Sequence, residues 1–314
     1  MWRWTGQHGM SYGHASRTGI LDLAALAWHE QWAAEVLPHG AAALPPLLPA
    51  GSPVGELPAG AIDGLSVRGR VPVVVTGHDH VVGGYAAGVT YPGQLLDSMG
   101  TAEALVEPVP AGTGFRRHYG TAIDFGTGIL PGTQVAIVGL ESGAGISGMA
   151  RALSGADLDD LAARVGPGAE GLRYLPPLAR PGAFVGHKID HGAPQFYRAV
   201  IEGWSLAADN ALAALGTPDR FAEIVCIGGG SASDLRIRIK ASIAGRPVRC
   251  VTTPEMVAVG AALLAGGIEP ATAAARVVSP VAEWVPVYQR LRDEYRRLTA
   301  CATPADVCLR GGRG

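Results

Sequence analysis

Short apolar runs alternate with amphipathic stretches along the chain, which predicts strands and helices in turn. The clearest helix covers 195–215, where apolar residues recur at close to 3.6 positions. Strands are predicted at 71–76, 94–99, 104–106, 119–124, 134–138, 224–227 and 247–251. Further helices are predicted at 21–36, 81–88, 255–264 and 286–301, together with one that Ser231 caps and that ends at Ala244. Such alternation indicates an α/β protein, with helices packed on a sheet.

The composition permits a sizeable core and argues against several classes of protein. The 314 residues are 48% hydrophobic and 17% charged, with a net charge of −2, so neither disorder nor a basic surface for nucleic acid is indicated. The longest apolar run, around 257–265, is shorter than the roughly 18 residues that cross a membrane. The four cysteines do not have zinc-site spacing. We expect a cytoplasmic protein without nucleic-acid or membrane partners.

The first candidate for chemistry is the segment Thr76-Gly77-His78-Asp79-His80, at the end of a predicted strand. Strand ends of this kind face the ligand crevice of α/β proteins, so Asp79 is suited to act as a general base for a substrate hydroxyl. Two alternatives stay open at this point. Asp79 could cap the following helix, or His78, Asp79 and His80 could hold a metal ion, because alternate residues of an extended chain share a face.

Two glycine-containing turns are candidates for binding phosphate and nucleotide. Gly100 and Thr101 lie between two predicted strands, where a turn can present N–H groups and a hydroxyl to a phosphate. The triplet 228–230 follows a strand and precedes a helix, a geometry in which the backbone can approach a nucleotide closely. Neither turn has a Walker A or G-x-G-x-x-G sequence. Ordinary structural turns are the alternative for both.

Taken in order, these segments resemble the FGGY family of carbohydrate kinases. Residues 15–23 with Trp28 are similar to the family's N-A-S-R-T…D…W segment, and residues 75–88 are similar to its G-x-x-D…G segment. Residues 97–104 resemble its second phosphate motif, and residues 191–215 resemble its helical C-terminal signature. Residues 228–241 resemble its adenosine motif, and residues 255–264 resemble the helix that closes that motif. The resemblance implies an α/β fold of the actin/hexokinase/Hsp70 type, which is a ribonuclease H-like ATPase fold. It also implies ATP-dependent phosphorylation of a small-molecule sugar or polyol.

The resemblance assigns roles to individual residues on the acceptor side. Asp79 would take the proton from the substrate hydroxyl as that hydroxyl attacks the γ-phosphate. His78 and His80 would shape the sugar pocket and would not ligate a metal.

On the nucleotide side, Gly100 and Thr101 would touch the phosphates of ATP. Gly228, Gly229 and Gly230 would let the backbone lie against adenosine. Asp234 is also assigned to the nucleotide site, although many members have asparagine there. Mg²⁺ would bridge phosphate oxygens mostly through water, and no protein ligand is assigned to it.

The resemblance further implies a division into three parts. Residues 1–90 would be a remnant of the N-terminal domain, 91–268 the C-terminal nucleotide-binding domain and 269–314 a helical tail. The family's D-x-G-T-T phosphate motif does not occur in this sequence, so we expect a chain that lacks most of the N-terminal domain, phosphorylates poorly and tends to self-associate. A non-catalytic nucleotide- or sugar-binding remnant is the first alternative, and a metal-dependent hydrolase is the second.

Overall fold

The computed structural model describes residues 1–58, 60–64, 69–113, 123–153, 158–178, 181–215 and 221–300. The strands are β1 (Met10–Ser11), β2 (Leu21–Asp22), β3 (Ala27–Trp28), β4 (Leu47–Leu48), β5 (Pro53–Leu57), β6 (Val71–Val74), β7 (Gln94–Met99), β8 (Glu103–Pro110), β9 (Asp124–Thr127), β10 (Thr133–Leu140), β11 (Arg173–Leu175), β12 (Ala183–Val185), β13 (Glu223–Ile227), β14 (Val248–Val251) and β15 (Ala275–Val278). The helices are α1 (Trp2–Thr5), α2 (Tyr12–Ala15), α3 (Glu30–Val36), α4 (Asp79–Ala86), α5 (Ser142–Ala152), α6 (Leu158–Arg164), α7 (Ala193–Leu215), α8 (Asp234–Ala244), α9 (Met256–Gly266) and α10 (Val285–Ala300).

A seven-stranded mixed sheet has the strand order β15-β14-β13-β7-β8-β10-β9. Strands β13 and β14 run parallel, whereas β9 and β10 run antiparallel. The predicted strands at 94–99, 134–138, 224–227 and 247–251 and the helices at 195–215 and 255–264 are confirmed within a few residues. Among the described residues, no helix is both long enough and apolar enough to cross a membrane.

Three predictions of local structure differ from what is observed, and a fourth is only partly described. Residues 21–36 are not one helix: the Asp22 carboxylate accepts hydrogen bonds from the backbone N–H groups of residues 24 and 25, making a turn between β2 and β3 before α3 begins. Helix α8 is capped by Ser233 and not by Ser231, whose hydroxyl instead donates to the Gly228 carbonyl. The β-branched run at 71–76 is typical of a buried strand, but β6 is only half-buried and pairs antiparallel with β5. Of the strand predicted at 119–124, residues 119–122 lie outside the described residues.

The chain divides into two compact units, each built from separate segments. The first comprises Met1–Ser98, Val106–Ile137 and Val251–Ala274, and the second comprises Met99–Leu105, Val138–Cys250 and Ala275–Gly314. The division at residues 90 and 268 that the resemblance implies stays a prediction. In the first unit α4 and α9 cross closely, because Gly260 lies against the Val82 carbonyl with no room for a Cβ atom.

A buried charge network joins α7 to α10 in the second unit. The Arg198 side chain is completely buried, and its Nε donates to Glu202 at 2.7 Å while its Nη2 donates to the Tyr288 hydroxyl at 2.8 Å. The ring of Trp284 covers the guanidinium at 4.5 Å. Glu202 also accepts hydrogen bonds from Tyr288 and from the Gly168 backbone N–H. The stretch 198–203, part of the segment that resembles the family's helical signature, therefore has a structural role.

A second buried carboxylate, Glu103 at the start of β8, is surrounded by donors from other elements of the same unit. Its Oε1 accepts from Lys240 Nζ at 2.5 Å, its Oε2 accepts from the Ser142 hydroxyl, and Arg236 Nη2 lies 3.9 Å away. Burial alone would raise the pKa of Glu103, but Lys240, Ser142 and Arg236 together hold that pKa below its ordinary value. The cluster ties the β7–β8 turn to α5 and α8.

Removing Arg198 should strongly destabilise the protein. In Arg198→Met, Glu202 is left as a buried charge without its cation, and breaking such a pair typically costs about 3–5 kcal/mol. Asp293→Asn is the matched control, since its ion pair with Arg296 is solvent-exposed and such pairs contribute about 0–1 kcal/mol. Chemical denaturation measures both. Equal, small losses for the two variants would contradict a stabilising role for the buried network.

The ionisation of Glu103 should make the free energy of unfolding depend on pH in the acidic range. Because the folded pKa is below the ordinary value of about 4.3, its stabilising effect is present above that value and is lost as the pH falls through the folded pKa. Glu103→Gln should therefore cost about 1.5–3 kcal/mol near neutral pH, and less as the solution becomes more acidic. Unfolding curves across the acidic range test this, with the exposed Glu56→Gln as control. A cost that does not change with pH would show that the charge of Glu103 is not what stabilises the fold.

Candidate functional site

Asp79 is the first residue of α4, directly after the loop that follows β6. Its carboxylate is 66% exposed, and Oδ1 accepts a hydrogen bond from the backbone N–H of His80 at 2.8 Å. The residue that precedes the helix as its cap is His78, not Asp79. The helix start therefore uses only part of the hydrogen-bonding capacity of the carboxylate, which remains accessible to a substrate hydroxyl.

The two histidines that flank Asp79 are mostly buried and have different environments. His80 Nδ1 lies 2.8 Å from the Ser98 hydroxyl, in hydrogen-bond contact. His78 Nδ1 lies 3.3 Å from Asp79 Oδ1. Burial is the main cause that lowers the pKa of His78, and it outweighs the opposing charge of Asp79. Burial therefore favours the neutral form of the His78 imidazole over the charged form.

The described residues contain no group of three or more His, Cys, Asp or Glu side chains that could hold a metal ion. The ring centroids of His78 and His80 are 5.4 Å apart, and one ring is already engaged by Ser98. The metal-dependent hydrolase therefore receives no support from this segment. A magnesium ion held by nucleotide phosphates and water needs no such cluster, so the residues are compatible with that mode of binding.

A cavity of about 400 Å³ lies beside His78 within the first unit. Its walls come from 76–78, from Tyr12 and Gly13, from 23–26 and from the β9–β10 turn at 127–134, among other residues. Sequence reasoning did not find this cavity. The only signal for it was the glycine-rich turn between two strands, which by itself is typical of an ordinary hairpin.

The Gly100–Thr101 turn is exposed, and its backbone packs against the start of α5. The Ala144 N–H donates to the Thr101 carbonyl at 2.8 Å, and Gly143 lies against the Gly100 carbonyl with no room for a Cβ atom. Both turn carbonyls are thus in contact with α5. Thr101 is exposed, as a phosphate-binding residue would be.

The three glycines 228–230 differ in what surrounds them. Gly228 has φ +88°, and a Cβ there would lie 2.9 Å from the Met99 carbonyl oxygen. A Cβ on Gly230 would lie 2.6 Å from Arg236 Nη1. Gly229 is exposed, and a Cβ there would meet nothing within 4 Å. Packing therefore accounts for two of the glycines, while the third faces open space that a ligand could occupy.

The structure brings two of the predicted nucleotide-binding segments together. Met99, which precedes the Gly100–Thr101 turn, is the residue against which both Gly228 and Gly230 pack. Asp79 and its flanking histidines belong to the first unit, and both glycine segments belong to the second.

Asp234 begins α8, and its carboxylate is engaged by Arg276. Arg276 Nη2 also donates to the Ser231 carbonyl at 3.0 Å. This pair holds the 310 turn at 229–232 against the helix that follows it. Asp234 thus has a structural partner, and its contact with nucleotide stays a prediction.

Arg17, in the segment similar to N-A-S-R-T, has a packing role that the sequence did not reveal. Its Nη2 donates to the Phe125 carbonyl at 2.6 Å, and its Nη1 lies 3.6 Å from Asp124. A Cβ on Gly126 would lie 2.8 Å from both Arg17 Nη2 and the Ser16 hydroxyl. The segment therefore anchors β9, and through it one wall of the cavity.

Two family models match the chain, and both describe the FGGY family of carbohydrate kinases. The model of the N-terminal domain matches residues 1–85, and that of the C-terminal domain matches residues 167–267. Together they cover more than half of the chain.

Two similar curated proteins are sugar kinases. A xylulose kinase of Staphylococcus epidermidis is 26% identical over 239 residues, which are 70% of this chain and 47% of that protein. An L-fuculokinase of Escherichia coli is 28% identical over 228 residues, covering 70% of this chain and 48% of that protein. The chain spans about half the length of these curated relatives.

The solved structures to which this chain is similar include sugar kinases as well. The xylulose kinase of Rhodospirillum rubrum matches with a TM-score of 0.78 and 26% identity, covering 95% of this chain and 65% of that one. A ligand-bound xylulose kinase of Lactobacillus acidophilus matches with a TM-score of 0.83 and 20% identity, covering 96% and 66%. The fold is the ribonuclease H-like fold of the actin/hexokinase type, and the chain belongs to the FGGY family of carbohydrate kinases.

Proposed function

We propose that this protein phosphorylates a hydroxyl of a small sugar or polyol with ATP, and that Asp79 is the general base. The observation that carries the proposal is the position of Asp79: its carboxylate is 66% exposed at the start of α4, within the segment matched by the family's N-terminal domain model. There it can accept the proton of an attacking hydroxyl.

The nucleotide would occupy the second unit. The exposed Gly100–Thr101 turn offers N–H groups and a hydroxyl to the phosphates, and the open space at Gly229 leaves room for adenosine. Phosphoryl transfer relies on positioning and on stabilising charge, and little covalent chemistry is required of the protein. Mg²⁺ would neutralise the phosphate oxygens, and we assign no side chain of this chain as its ligand.

A non-catalytic binding protein is the second candidate, because the D-x-G-T-T motif does not occur in this sequence. A coupled ADP-release assay separates the two, run on the purified protein with D-xylulose, L-fuculose, glycerol and D-gluconate. Acceptor-dependent turnover supports a kinase. Nucleotide binding in calorimetry without turnover supports the alternative. A cytoplasmic location, self-association and the lack of nucleic-acid and membrane partners stay predictions of the sequence.

Asp79→Asn should lower kcat by about 10²–10⁴-fold, the usual contribution of a positioned base. Asparagine keeps the size of the side chain but cannot accept the proton, so the affinity for ATP should stay nearly unchanged. Initial rates and calorimetry measure the two effects. Glu56→Gln, at another exposed carboxylate of the same unit, is the control. A kcat within a few-fold of the parent in Asp79→Asn would exclude it as the base.

Gly229→Val should weaken ATP binding without unfolding the protein. The backbone at Gly229 does not have a positive φ, and the added Cβ meets no protein atom within 4 Å. The valine side chain should therefore clash with a bound ligand and not with the protein. Overpacking of about 1–3 kcal/mol corresponds to roughly 5–150-fold in affinity.

Gly139→Val is the control for this substitution, because Gly139 also faces open space in the same unit. Calorimetry with ATP and thermal melts of both variants test the prediction. If the folded Gly229→Val variant binds ATP with unchanged affinity, adenosine does not bind at this position.

A further inference from the structure

The two carboxylate oxygens of Asp79 have different surroundings. Oδ1 accepts a hydrogen bond from the backbone N–H of His80 at 2.8 Å, and it lies 3.3 Å from His78 Nδ1 and 4.0 Å from His80 Nε2. No described residue donates a hydrogen bond to Oδ2. Because the nearby nitrogen atoms are gathered on the Oδ1 side, Oδ2 is the oxygen left free to accept the proton of a hydroxyl.

The imidazole ring of His80 is held in place by Ser98 of β7. Ser98 Oγ lies 2.8 Å from His80 Nδ1, and Ser98 is only 6% exposed. If the ring turned away from Asp79, this hydrogen bond would break and leave a buried polar group unpaired, which is costly. The described residues that line the cavity include His78 but not His80. The environment of His80 is therefore set by Ser98 and Asp79.

The contact between His80 and Ser98 follows from the regular packing of α4 on β7. Gly84, one helical turn after His80, lies against Leu96, two residues before Ser98, and a Cβ on Gly84 would be 3.0 Å from Leu96 Cδ2. Four residues of a helix and two residues of a strand each span about 6–7 Å. The two contacts therefore share one register, and the strand fixes the distance between Ser98 and the start of the helix.

The charge of Asp79 favours one tautomer of the His80 ring. A neutral imidazole carries a single proton, and the groups that face its two nitrogen atoms decide which of them holds it. Asp79 Oδ1 faces Nε2 at 4.0 Å, which is too long for a direct hydrogen bond, but the carboxylate still attracts a proton on that nitrogen. Nδ1 is then an acceptor for the Ser98 hydroxyl. The dipoles from Ser98 through His80 thus all point toward Oδ1.

We infer that Ser98 and His80 are positioning residues for Asp79, which hold Oδ1 and so present Oδ2 to the acceptor hydroxyl. This inference rests on the proposed function. An exposed carboxylate without them would rotate about its side-chain bonds, and a displacement of about 1 Å can cost 10²-fold in rate. In the reaction the acceptor oxygen bonds to the γ-phosphorus, the bond from that phosphorus to ADP breaks, and the hydroxyl proton moves to Oδ2.

Two variants separate an effect on turnover from effects on binding and folding. Ser98→Ala should lower kcat about two- to tenfold, the usual contribution of one hydrogen bond. His80→Asn should lower kcat about ten- to hundredfold, because the carboxylate is then no longer held on the side of Nε2. The affinity for ATP, measured by calorimetry, should stay unchanged in both variants.

Each variant has a matched control. Ser205 is also 6% exposed, and its hydroxyl donates to the Ile201 carbonyl. Ser205→Ala should therefore lower the melting temperature about as much as Ser98→Ala and leave kcat unchanged. His39→Asn, at an exposed histidine of the same unit as His80, should change neither quantity.

The tautomer of His80 provides a readout that does not require turnover. Long-range ¹H–¹⁵N NMR of protein labelled at histidine shows which ring nitrogen carries the proton, at about pH 8.5, where imidazole is ordinarily neutral. The signals that are absent from His80→Asn identify this ring. The parent should show the tautomer with the proton on Nε2. Ser98→Ala and Asp79→Asn should each show a mixture of both tautomers.

The outcomes distinguish this inference from the proposed function. If the parent shows no turnover with any of the four acceptors, but both variants change the tautomer as expected, the kinase is rejected and the link from Ser98 through His80 to Asp79 is supported. If turnover is the same in Ser98→Ala, His80→Asn and the parent, the kinase is supported and the positioning role is rejected. A tautomer that Asp79→Asn leaves unchanged, or an equal fall of kcat in the control variants, also rejects that role.

Discussion

The candidate nucleotide site in the second unit depends on one buried negative charge. Glu103 lies two residues after Thr101, and its carboxylate is enclosed by Lys240, Ser142 and Arg236. Arg236 also lies directly beneath Gly230. A single carboxylate therefore fixes the end of the β7–β8 turn and, through Arg236, the support of the glycine segment. An isolated buried charge would be costly, so the two donors Lys240 and Ser142 and the nearby charge of Arg236 stabilise this part of the fold.

The first unit holds Asp79 by packing of small residues instead of by charge. Helix α4 begins at Asp79 and crosses α9 at a point where Gly260 lies against the Val82 carbonyl. A larger residue at 260 would push the two helices apart. The position of the proposed base thus depends on a close contact between helices whose residues are small and apolar, while the carboxylate itself remains exposed.

The glycines of the chain illustrate how structural and functional reasons can be separated. Gly228 and Gly230 are required by their own surroundings, namely a positive φ at the first and the proximity of Met99 and Arg236 at both. Gly229 has no such requirement, because a Cβ there would meet no protein atom within 4 Å. Its contact with adenosine stays a prediction.

The sequence by itself determined the α/β class, most of the regular elements and the order of the motifs. Hydrophobic periodicity and β-branched runs are local properties, so β7, β10, β13, β14, α7 and α9 could be predicted from them. The early segment 21–36 was mispredicted because the Asp22 side chain competes with the helix for backbone N–H groups. Only the tertiary structure decided that Asp234 pairs with Arg276 and that Arg17 supports β9. It alone brought His78, Thr127 and Gln134 to one cavity, because residues about 50 positions apart meet only when the chain has packed.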